Sequence, residues 1–67
     1  MSKYYIVPTV YEGDLERIGA FDTIEEALQA ANRYVEESEW ARSDDWAGIF
    51  IEDENRDIVM DNEEVGL

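Results

Sequence analysis

The sequence contains no cysteine and no histidine. Without cysteine, neither a disulfide nor a thiolate metal site is possible, and a chain this small that does without such staples points to a cytoplasmic protein. Without histidine, a serine or threonine nucleophile has no ordinary base at neutral pH. No two carboxylates stand at a recognisable acid–base spacing, so no catalytic residue and no enzyme activity are expected. Glycine and proline are scarce, four and one respectively. None of the glycines builds a phosphate-cradling loop, and no cofactor is expected. Met1-Ser2-Lys3 leads into a short β-branched and aromatic run, too short for a signal peptide or a membrane span, so no membrane partner is expected. Lys and Arg number only five and form no patch, which disfavours direct nucleic-acid binding on electrostatic grounds.

What is present is a folded composition with an extreme charge. Of 67 residues, 45% are apolar and 12% aromatic, well above what a disordered acidic tail carries. One domain spanning residues 1–67 is expected, with a thin core, because a chain of this length buries only about 60% of its unfolded surface. Eighteen Asp and Glu against five Lys and Arg give a net charge of −13. A globule of this length has a radius of gyration of about 11 Å and a diameter of roughly 28 Å, and a DNA duplex of that length carries about 16 phosphates. The two charge densities are comparable. Self-repulsion of this size destabilises a compact chain, so it marks either adaptation to salt or a field that attracts a cationic surface.

Tyr4 to Tyr11 reads as a strand, with Tyr4, Ile6 and Val10 on one face and Tyr5, Val7, Thr9 and Tyr11 on the other. Pro8 cannot donate to a ladder, which predicts an edge or bulged strand. Glu12-Gly13-Asp14 is a turn, and Leu15 to Phe21 returns to close a hairpin. Thr23 with Glu26 three residues on is a capping box, and Ile24, Ala27, Leu28, Ala31, Tyr34 and Val35 follow at helical spacing, predicting a helix from Ile24 to Glu37. Residues 39–46 lack a period and read as a loop, in which Trp40 or Ser43 is able to start a helical turn. Ala47 to Glu52 is a strand, Asp53 to Arg56 a turn, and Asp57 to Met60 a returning strand. Residues 61–67 read as a frayed tail. The expected fold is α+β, an antiparallel sheet with one helix on one face, in the order ββαββ or, if the second strand is absent, βαββ.

The charge is unevenly placed. Residues 1–24 hold four acids and two bases, whereas residues 25–67 hold fourteen acids and three bases. Glu25, Glu26, Glu36, Glu37 and Glu39 line the exposed side of the helix, and Asp44, Asp45, Glu52, Asp53, Glu54 and Asp57 fall in the loops and hairpin beside it. Trp40 and Trp46 lie in the most acidic loop, where an aromatic among carboxylates is suited to stack on a partner's Arg or Lys; the plainer alternative is that either ring closes the core. Candidate partner-binding residues are therefore Glu25, Glu36, Glu37, Glu39, Trp40, Asp44, Asp45 and Trp46. Asp53, Asn55, Asp57, Asp61 and Glu64 match an EF-hand spacing, but Ile58 stands where the loop needs glycine and the flanks read as strands, so no metal site is expected.

The run from Gly19 to Ala27 resembles the strand-to-helix junction of small domains in which a sheet reads DNA, including integrase-arm folds. Their basic sheet residues have no counterpart here, so their DNA binding does not carry over. In size, acidity and lack of catalytic residues the chain resembles phage-encoded inhibitors of host defence, notably anti-CRISPR proteins and other DNA mimics. That resemblance implies an acidic binding protein in the host cytoplasm that occupies the Lys/Arg-lined groove of a nucleic-acid-binding protein or nuclease complex. The alternatives are a small regulatory interaction module whose acidity serves solubility, recognising partners through the Pro8 strand edge or the aromatic loop, and an ordinary domain of a halophile.

Overall fold

The computed structural model describes residues 3–65. Five strands form one antiparallel sheet: β1 (Tyr4–Val10), β2 (Gly13–Asp14), β3 (Ile18–Phe21), β4 (Trp46–Asp53) and β5 (Ile58–Met60). Helix α1 (Ile24–Glu37) crosses one face, and a short helix α2 (Asn62–Val65) follows β5. The chain is therefore a small α+β domain, as its patterning predicts.

β1 lies inside the sheet and is not an edge, but its register against β4 shifts between Thr9 and Val10, next to Pro8, as the bulged-strand alternative expects. β4 pairs along its whole length on one side, while β2 pairs with its end at Thr9 and Val10 and β3 with its start at Tyr4 and Ile6 on the other. Pro8 is tolerated there because the strand beside it is interrupted. Its carbonyl accepts from the Leu15 amide at 2.8 Å, so its donor-less nitrogen faces the gap between β2 and β3, where no ladder bond is needed. The expected strand from Leu15 to Phe21 is shortened to β3, with residues 15–17 outside any strand, and Gly13 and Asp14, expected in the turn, pair with β1 as β2 instead.

The core lies between the sheet and α1. Ile6, Ile49 and Ile51 are wholly buried against Ala27 and Ala31 of the helix, each isoleucine contributing about 1.5–3 kcal/mol. Two alanines at the contact let the helix axis approach the sheet closely. Thr23 caps α1 as its spacing predicts, its hydroxyl accepting from the Glu26 amide at 3.1 Å. Glu26 reaches back one residue further than a capping box requires, to the Asp22 amide at 3.4 Å. The other end of α1 is closed by Ser38, whose amide bonds to the Tyr34 carbonyl, and by Arg42, whose Nη2 donates to the Glu36 carbonyl at 3.0 Å.

Residues 61–65 are not frayed. Asp61 caps α2 by accepting from the Glu64 amide, and Val65 is buried in the core. Gly48, at φ 126°, makes room for this helix: a Cβ there would stand 2.9 Å from the Asn62 side chain, which donates to the Ala47 carbonyl. Gly66 and Leu67, also read as tail, lie outside the described residues. No helix among the described residues is long and apolar enough to cross a membrane.

Candidate functional site

The sheet register sorts the acidic residues into two ends and a back face. β1 begins and β4 finishes at one end, where Tyr4 pairs with Asp53; α1 starts there, after β3. At the other end Val10 pairs with Trp46, and α1 finishes near it, followed by a 3₁₀ turn at Trp40–Arg42. The molecule is 36 Å long and about 20 Å across. Asp53, Glu54 and Asp57 therefore lie at the hairpin end, beside Asp22 and the start of α1, whereas Glu36, Glu37, Glu39, Asp44 and Asp45 lie at the opposite end. The sequence pattern alone sets the loop and hairpin acids together beside the helix. They form two acidic ends joined by it.

Glu52 belongs to neither. It points away from α1 on the back face, only 8% exposed. Arg17, from the unpaired loop before β3, lies over it: Nε stands 2.7 Å from Glu52 Oε1, the guanidinium sits 3.7 Å above the Tyr5 ring, and Nη2 donates to the Asp53 carbonyl at 2.8 Å. The Arg17 Nε hydrogen is not aligned on an acceptor, so the contact with Glu52 is an ion pair and not a hydrogen bond. Glu52 is thus a structural carboxylate, unavailable to a partner.

The helix face carries the remaining acids. Glu25 and Glu36 are three turns apart on one stripe, about 16 Å along the axis, with Glu26 and Glu37 on an adjoining stripe. All four are exposed. This face is not uniformly acidic, because Arg33 projects between the two stripes, in position to pair with Glu37 four residues on. Arg42 also ends beside Glu36. At the start of the helix Lys3 pairs with Asp22, which by hydrogen bond and charge holds the ammonium above its ordinary pKa.

The two tryptophans part company. Trp46 is the first residue of β4 and not a loop residue; it is half-buried and stacks on Tyr34, ring centroids 6.1 Å apart and planes 24° off parallel. Its ring closes the core over the end of α1. Trp40 stays 47% exposed and lines an open hollow of about 400 Å³ with Glu39 and Ser43. Its backbone is nonetheless well held. The Trp40 amide donates to Ser38 Oγ, and its carbonyl accepts from both the amide and the hydroxyl of Ser43.

The EF-hand spacing has another use here. Asp53 Oδ1 accepts from the Asn55 and Asp57 amides, residues 58–60 are strand, and Asp61 is a helix cap, so its acids are distributed over a hairpin turn and a cap. Sequence reasoning missed Tyr11. It is 77% exposed, and its amide donates to the Asp45 carbonyl at 2.8 Å, which brings it to the Trp40 end. The only local signal was an aromatic residue next to a turn. No family profile matches the chain, and neither a curated protein nor a solved structure does.

Proposed function

We propose that this protein is a non-enzymatic inhibitor that occupies the Lys/Arg-lined groove of a nucleic-acid-binding protein, with nuclease complexes of CRISPR defence as the most specific target. The observation that carries this reading is a charge of −13 displayed on a body 36 by 20 by 19 Å, with most carboxylates exposed on α1 and at the two ends. The carboxylate pairs Glu25 with Glu36 and Glu26 with Glu37, each about 16 Å apart, stand in for phosphates at the two ends of roughly five base-pair steps. A groove already focused for anions then gives fast, salt-sensitive association.

The test is competition. The partner is captured from the native host on immobilised protein, identified by mass spectrometry, and challenged with a DNA or RNA duplex. Displacement of the protein by duplex is expected, together with affinity that falls steeply between about 50 and about 500 mM salt. A complex unaffected by either would refute the reading. Changing Glu25, Glu36, Glu37 and Glu39 together to Lys is expected to abolish binding.

A regulatory module whose acidity serves only solubility is the second reading, favoured by the exposed Trp40 ring. Its version through a Pro8 strand edge is excluded by the central position of β1. Under the aromatic-loop version the fourfold charge reversal leaves binding intact, while Trp40→Ala removes it.

A further inference from the structure

Two aromatic side chains far apart in sequence stand in water at one end of the molecule, and neither belongs to the core. They are Tyr11 and Trp40. Both flank the Asp44-Asp45 segment, because Tyr11 is hydrogen-bonded to Asp45 on one side and Ser43 to Trp40 on the other. Glu12 and Glu39 adjoin them, and all four carboxylates are exposed. Arg42, the base within this segment, has its guanidinium on the Glu36 carbonyl. Exposed rings are costly to keep in water, and the 3₁₀ turn that carries Trp40 is fastened by Ser38, Ser43 and Arg42. A turn fixed in this way loses little further entropy when its ring is buried by a partner.

We propose that Tyr11 and Trp40, with Asp44 and Asp45, form a docking site selective for arginine, in which a partner's guanidinium stacks on a ring and pairs with a carboxylate. Charge complementarity sets the occupant. A second copy of this chain brings like charge, whereas a guanidinium is planar, weakly hydrated and suited to both the aromatic face and the carboxylate fork; a lysine ammonium is compact and strongly hydrated and gains less from the ring. The inference rests on the acidic-surface reading and goes past it by naming the side chain that anchors the contact.

The probes are oligo-arginine and oligo-lysine peptides of equal length and charge, titrated into the full chain at about 150 mM salt and followed by amide and indole NMR shifts. Oligo-arginine is expected to bind about tenfold tighter than oligo-lysine, with the largest shifts at Tyr11, Trp40 and residues 44–45. Tyr11→Ala and Trp40→Ala should each reduce that preference, and Tyr11→Phe should keep it. Tyr11 is so exposed that its replacement leaves the fold intact, which decides the matter even if Trp40→Ala fails to fold. Equal binding of the two peptides, or a preference untouched by Tyr11→Ala, overturns the arginine site while leaving the acidic-surface reading standing. Binding of neither peptide overturns both.

Discussion

The two acidic ends of the molecule are built from the same residue types and use them differently. At the hairpin end three carboxylates, Asp22, Glu26 and Asp53, are engaged in the fold, while Glu54 and Asp57 are exposed and, among the described residues, have no aromatic ring standing in water beside them. Asp53 Oδ1 accepts two turn amides at 2.8 and 3.0 Å, Asp22 pairs with Lys3, Glu26 reaches the Asp22 amide, and the Asp53 carbonyl takes the Arg17 guanidinium. At the aromatic end the backbone is held by Ser38, Ser43 and Arg42. Among the described residues the carboxylates of Glu39, Asp44 and Asp45 make none of the side-chain hydrogen bonds or ion pairs, and two exposed rings stand beside them. Composition counts all these acids alike. The difference teaches that free charge alone does not tell the two ends apart; the exposed rings of Tyr11 and Trp40 beside it do.

Substitutions at the two ends should separate accordingly, and the largest effect lies with Arg17. Arg17→Ala leaves Glu52 buried without its partner, which costs about 3 kcal/mol, the low end for a buried pair because Arg17 is itself 30% open to water. In a domain this small that is a large share of the total, so urea and thermal melting should show a strongly lowered midpoint. Adding Glu52→Gln should recover part of the loss. Full stability in the single variant would mean that Glu52 finds water instead.

Smaller losses are expected from the turn and the cap. Asp53→Ala removes the acceptor of two amides and should destabilise by about 1–2 kcal/mol with no change in the association rate for a basic partner. Thr23→Ala removes the α1 cap and should cost about 1 kcal/mol. The smallest effect is a gain. Arg56 sits at φ 68° in the same hairpin turn, a conformation that a side chain makes unfavourable, so Arg56→Gly should raise the urea midpoint by about 0.5 kcal/mol in stability. A lowered midpoint would show that the arginine side chain holds the turn in some other way.

Local signals were legible and long-range ones were not. Helix α1 was readable to its end residues because Thr23 and the apolar spacing are both written within the segment. The strands of the β4–β5 hairpin were readable within a residue for the same reason. The central place of β1 was not, because Pro8 argues locally for an edge, and only the interruption opposite it, at residues 15–17, removes the objection. Residues 61–65 are too acidic to look ordered; what orders them is Asn62 packing on Gly48 and Val65 reaching the core. The pairing of Glu52 with Arg17 and the arrival of Tyr11 beside Asp45 join segments more than thirty residues apart, and no pattern within either segment announces them.

The most direct measurement is the association rate for the basic partner, taken across a salt series for the unaltered chain and for two neutralised variants. One carries Asp44→Asn with Asp45→Asn at the aromatic end, and the other Glu54→Gln with Asp57→Asn at the hairpin end; each removes two charges. The expected result is a rate that falls steeply with salt and drops severalfold in the first variant but much less in the second. A rate independent of salt, or an equal drop in both variants, would contradict the claim that the acidic surface binds a cationic partner through its aromatic end.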